Sequence, residues 1–235
     1  MRLSKYLYTL IISTILFASC EKKTENTMTV SGTIDGLKKG TLFFQKIKDT
    51  TLVNLDSLEI KGNGEFLFTY EVETPEVFYL YLDKADNNTV NDRIKFFGEK
   101  GNITINTSWN TFDAKPEILG SNSNEEYQEF QSMISKFNTR ELELAQYIIK
   151  QPNEIDIKVV DSVNELIKSN SLRKYRYIVN FGLTNPESYV TPYVTLVEAS
   201  DANPKYLDSI LRTLNPEVAK SKYGEELKKY LEKLN

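Results

Sequence analysis

Residues 117–130 read EILGSNSNEEYQEF, and the spacing of the apolar residues changes inside this stretch. Before Gly120 apolar and polar residues alternate. After Asn124 the apolar residues return at helical intervals, as Tyr127, Phe130, Ile134, Phe137, Leu144 and Ile148. Side chains alternate across a strand and recur every 3.6 residues on a helix, so the stretch joins a β half to a helical half. The fold class expected is α+β: an N-terminal antiparallel β-sandwich or open barrel followed by an all-helical segment.

Upstream, residues 28–120 hold about eight short strands. Residues 28–34 alternate, and Asp35-Gly36 and Lys39-Gly40 punctuate them before the strand at 41–47. Residues 52–60 form a further strand, and Lys61-Gly62-Asn63-Gly64 reads as a hairpin because Gly and Asn tolerate positive φ. Phe66, Phe68, Tyr70 and Val72 then share one face, the pattern of a half-buried strand. Residues 77–82, VFYLYL, are continuously apolar and suit a central strand covered on both sides. Short strands at 94–97, 103–105 and 117–119 complete the set.

Downstream, Pro152 ends the first helix, and a second is expected from about Asn153 to Phe181 with a stop at Gly182. Asn185-Pro186, Asn203-Pro204 and Asn215-Pro216 each read as a helix start, with Asn capping free amides and Pro at the first helical position. About five helices result.

The N-terminus carries a different signal. Met1 to Lys5 holds two positive charges, residues 6–17 are almost wholly apolar, and Ala18 and Ser19 are small. That is the pattern of a secretory signal, and its apolar run is too short for a permanent bilayer span. Residues 16–23, LFASCEKK, resemble the bacterial lipobox, with Phe17 where Leu is usual. The resemblance implies lipidation of Cys20, the only cysteine in the chain, and cleavage before it. Two or more acyl chains hold a protein stably on a membrane. Glu21 in place of the aspartate of inner-membrane retention points to the outer membrane. The division expected is residues 1–19 as signal peptide, 20–27 as lipidated Cys and polar tether, 28–120 as β domain and 121–235 as helical domain. At about 3.5 Å per residue the tether reaches roughly 25 Å.

Removing residues 1–19 takes away Arg2 and Lys5 and no acid, which carries the formal charge from −4 to −6. An acidic chain repels nucleic-acid phosphates, so no nucleic-acid partner is expected. The sequence has no histidine, which excludes His-assisted nucleophiles and His-ligated metals. It has neither of the usual Gly-rich phosphate loops. A lipidated Cys20 leaves no thiolate. No catalytic residue, cofactor or metal site is expected.

Several segments together resemble a known family. They are VSGTIDGL at 30–37, DSLEIKGNGEFLF at 56–68 and PEVFYLYL at 75–82, then FFGEKGNITIN at 96–106, LGSNSNEEY at 119–127 and NPESYVTPYV at 185–194. The family is a domain of unknown function found at the N-terminus of Gram-negative lipoproteins that end in a thioredoxin-like thiol–disulfide oxidoreductase of the cytochrome-biogenesis type. The resemblance runs over about residues 28–235. No C-x-x-C occurs in this sequence, so no redox residue carries over. The resemblance implies the accessory half alone. The expectation is a non-catalytic binding or scaffolding module, or an accessory docking subunit for a separate oxidoreductase of that type. Its partners would be a membrane through the lipid anchor and either an envelope protein or a second copy of itself.

Three sharper motifs reduce to ordinary surface chemistry. Residues 83–92, DKADNNTVND, are oxygen-rich but lack the D-x-D-x-D-G spacing and closing glutamate of a calcium loop, and read as a solvated hairpin loop. Carboxylate pairs for glycoside hydrolysis need a cleft that the sequence does not specify. Residues 172–177, LRKYRY, read as a basic outer helix face beside core-facing tyrosines.

Overall fold

The computed structural model describes residues 26–84, 92–149 and 156–234. Among them are eight strands: β1 (Thr27–Asp35), β2 (Lys39–Lys48), β3 (Thr51–Lys61), β4 (Glu65–Glu71), β5 (Glu76–Asp83), β6 (Asp92–Gly98), β7 (Gly101–Ser108) and β8 (Glu117–Leu119). Six helices follow: α1 (Asn122–Ile149), α2 (Ile157–Thr184), α3 (Val190–Glu198), α4 (Pro204–Thr213), α5 (Pro216–Ala219) and α6 (Lys222–Leu234). None of the described helices is long and apolar enough to cross a membrane.

The strands form two four-stranded sheets, ordered β4-β1-β7-β8 and β3-β2-β5-β6. Their inner faces meet in one apolar core. Val30, Phe68 and Ile103 come from the first sheet, and Phe44, Phe78 and Phe96 from the second. Phe44 stacks on Phe68 across the gap with ring centroids 5.5 Å apart. The α+β sandwich expected from the sequence is therefore the architecture. One pairing departs from the antiparallel expectation: β1 and β7 run parallel, with Val30 opposite Ile103.

The second sheet is a middle layer. Alternation along β5 sends Phe78, Leu80 and Leu82 into the sandwich, while Val77 and the half-buried Tyr79 turn to the helices, as the continuous apolar run required. Val77 and Phe97 meet Tyr127, Phe130, Tyr193, Tyr223 and Leu227 in a second core. The helices thus cover the face of the middle sheet opposite the sandwich.

Three local expectations are corrected. Lys61-Gly62-Asn63-Gly64 is no hairpin, because β3 and β4 belong to different sheets. It is a corner between them. Gly64, at φ +74°, accepts a hydrogen bond from Ile34 N–H at 2.9 Å, and a Cβ there would lie 2.1 Å from Ile34 O. The tight hairpin is instead at Asp49-Thr50, where Lys48 pairs with Thr51 and Asp49 takes φ 57°.

Gly182 does not stop α2. The helix runs on to Thr184, and the missing side chain admits Ile210 of α4, whose Cδ1 would lie 2.7 Å from an added Cβ. Asn185-Pro186 does not open a helix. Asn185 closes α2 by donating from its backbone N–H to Phe181 O, and α3 starts at Val190. The other two Asn-Pro pairs act as expected: Asn203 and Asn215 accept from Lys205 N–H and Glu217 N–H.

Candidate functional site

The sheet–helix joint carries most of the buried polar chemistry. Glu76 opens β5 and is 7 % exposed. Its carboxylate accepts from Lys46 Nζ of β2 at 2.8 Å and from Lys222 Nζ of α6 at 2.7 Å. Lys222 also donates to Ile47 O at 3.0 Å. Burial opposes the Lys46 ammonium, but the Glu76 carboxylate and the Tyr70 hydroxyl outweigh it and hold its pKa above the usual lysine value. Its charge also lies 5.1 Å from the Tyr70 ring centroid. Three elements distant in sequence are thus held by one carboxylate.

The start of α1 is tied down beside it. Glu99, in the β6–β7 turn, accepts from Asn122 N–H at 2.6 Å and from the Ser123 hydroxyl at 2.6 Å. A carboxylate there meets free amides and the positive end of the helix dipole. Ser121 donates to Phe97 O at 2.9 Å, and Asn124 Oδ1 accepts from Phe97 N–H at 3.1 Å. The Ser188 hydroxyl donates to Glu126, and Val190 N–H donates to Ser188 Oγ at 3.1 Å. The segments 119–127 and 185–194 therefore fasten helices to the middle sheet and to one another.

A cavity of about 470 Å³ opens at the start of α1, lined among others by Glu99, Asn122, Ser123, Glu126 and Ser188, and two more open on the Glu76 side of the joint. A cleft of about 840 Å³ lies between the β2–β3 hairpin, the β4–β5 connection and the start of α6, lined among others by Lys46, Glu73, Glu76, Lys222 and Glu225. Next to it is a more apolar crevice of about 350 Å³ between the middle sheet and helices α3 and α6. Its walls are Val77, Tyr79, Tyr193, Leu196 and Val197. Ile47, Asp49, Lys222 and Glu226 are common to the cleft and the crevice. A pocket of this size and lining is the usual form of a small-ligand site.

The titratable groups around the crevice are strongly biased. Burial pushes the Tyr193 phenol up to about 12 and the Tyr127 and Tyr223 phenols higher still. Tyr223 Oη accepts from Val77 N–H at 3.0 Å. Burial also raises Glu226, with the carboxylates of Glu76 and Asp49 adding to it against Lys222 and Lys229. Lys95 is exposed as a whole residue, yet its ammonium lies 5.1 Å from the Tyr127 ring centroid, and desolvation there lowers its pKa against the pull of Glu198.

Residues 28–127 match the model of a family described as "Domain of unknown function (DUF4369)". The DUF4369 match takes in the eight described strands, except Thr27 at the start of β1, and the first residues of α1. It includes the segment from Phe97 to Tyr127, so Glu99, Ser121 and Asn124 belong to the matched segment, whereas Ser188 and Lys222 of the joint do not. The helices that complete the cleft and the crevice lie outside it. No curated protein matches the chain.

Cys20 and the tether as far as Glu25 lie outside the described residues, as does most of the loop at 83–92. In the segment 172–177, Arg173 and Arg176 are exposed, while Tyr177 packs on Phe130 and Tyr175 Oη accepts from Asn203 N–H at 3.2 Å. This is the basic outer face with core-facing tyrosines read from the sequence. Exposed apolar side chains gather at the far end of α1 and α2, at Leu142, Tyr147, Ile149, Ile157 and Leu166. Sequence reasoning did not find the Glu76 cluster or the crevice. Glu76 had one available signal, as a lone acid entering a run of apolar residues.

Proposed function

We propose that this protein is a non-catalytic binding module of the cell envelope. It is displayed at the outer membrane through lipid on Cys20, and ligand is taken in the crevice between the middle sheet and the helices. The observation that carries this reading is the division of labour at the joint. The Glu76 and Glu99 carboxylates are occupied in holding layers together, whereas the crevice beside them is apolar, aromatic and open. Ligand capture needs only shape and a few placed polar groups. NMR of methyl-labelled mature protein against a small-molecule fragment set tests the reading. The expected result is shifts concentrated at Val77, Leu196 and Val197. Shifts elsewhere only, or turnover of any fragment, would refute it.

The lipid anchor is tested separately by labelling cells with palmitate: label should enter the protein and be lost in the variant Cys20→Ser. A second reading, a docking subunit for a separate thioredoxin-like oxidoreductase, draws on the exposed apolar end of α1 and α2. It requires crosslinking in the native envelope to recover such an enzyme, with loss of the adduct on Ile149→Glu.

A further inference from the structure

The same crevice has a charge bias that narrows its ligand, and the argument rests on the binding-module reading. Asp49 and Glu226 stand where the crevice joins the cleft. Neither makes a hydrogen bond or ion pair to another described side chain. Lys222, the lysine that lines the crevice, is already committed to Glu76 Oε2 and Ile47 O, and Lys46 of the adjoining cleft is committed to Glu76 Oε1. Asp49 is held in place by the two-residue turn closed by the Lys48–Thr51 pair. Behind the two carboxylates the walls are Val77, Leu196, Val197 and tyrosine rings, which favour an uncharged, partly planar body.

We propose that the crevice binds a small organic amine. Its apolar body, of about phenylethyl size, lies against Val77, Tyr79, Leu196 and Val197, and its ammonium lies between Asp49 and Glu226. An ammonium placed there offsets two carboxylates that otherwise repel each other, and the rings add attraction for a cation. An anion would meet both carboxylates. A neutral ligand of the same shape would gain the walls and forgo the charge. Glu226 is exposed, and desolvation with the Glu76 and Asp49 carboxylates raises its pKa by more than Lys222 and Lys229 lower it, so the neighbouring lysines only partly offset its charge.

The test titrates the mature protein with four probes of similar size: 2-phenylethylammonium, 3-phenylpropan-1-ol, 3-phenylpropionate and N-acetyl-lysine N-methylamide. Val77, Leu196 and Val197 methyl shifts are the readout. The expected order puts the ammonium at least tenfold tighter than the alcohol, with the propionate weakest. The double variant Asp49→Asn, Glu226→Gln should bring the ammonium to the level of the alcohol while leaving alcohol binding unchanged. Equal binding of ammonium and alcohol overturns the amine assignment and leaves the binding module standing, as does preference for the propionate. Tightest binding by the lysine derivative overturns the small-molecule assignment in favour of a partner's lysine side chain. No shift with any probe overturns both the amine and the crevice as a site.

Discussion

The substitution Tyr223→Phe isolates one bond across the sheet–helix joint. Val77 N–H lies just beyond the last β2–β5 pair, Lys46 with Phe78, so the ladder no longer supplies it with an acceptor. Tyr223 Oη supplies one at 3.0 Å, reaching across 146 residues of sequence. Both residues are buried, and the Tyr223 ring packs on Tyr193 with centroids 4.8 Å apart, so phenylalanine keeps the ring contacts. What is lost is the acceptor, and a buried donor left unpaired costs about 1–3 kcal/mol. For a chain of this size a loss of about 2 kcal/mol lowers Tm by roughly 4–8 °C. Urea unfolding should show the same loss as a lower midpoint at unchanged slope. Hydrogen exchange at the Val77 amide should quicken. A variant within about 0.5 kcal/mol of the parent, with Val77 still protected, would refute the reasoning.

Further outcomes follow from the same geometry. Gly64→Ala should cost at least about 3 kcal/mol, since it adds positive-φ strain to a backbone collision with Ile34 O. Gly62→Ala, at positive φ with nothing within 4 Å, should cost only about 1–2 kcal/mol of strain; equal thermal shifts in the two would count against the corner. Glu99→Gln removes the charge at the start of α1 and should lower stability by about 1 kcal/mol, read from urea midpoints. Stability should also fall in alkali. Burial raises the folded-state pKa of Tyr127, Tyr193 and Tyr223 above the ordinary phenol value of 10.0. Their contribution is therefore complete below pH 10 and lost above it, as unfolded phenols ionise and folded ones do not. A urea midpoint that stays level between pH 9 and pH 11.5 would contradict this.

The sequence alone determined the order of strands and helices and the point at Gly120 where one gives way to the other. It also determined the two Asn-Pro caps at Asn203 and Asn215. These follow from side-chain periodicity and φ preference, which act within a few residues of each other. The same local signals misread Lys61–Gly64 and Gly182. A glycine that relieves positive φ in a hairpin looks, in sequence, like one that lets two backbones cross or two helices touch.

Only the tertiary structure decided that β1 pairs in parallel with β7, that Glu76 sits between Lys46 and Lys222, and that α3 and α6 leave a crevice over Val77 and Tyr79. Those partners are 30 to 146 residues apart in the Glu76 cluster. Which distant acid meets which lysine is set by how three layers bury their apolar faces together, and periodicity within a single element contains no term for that.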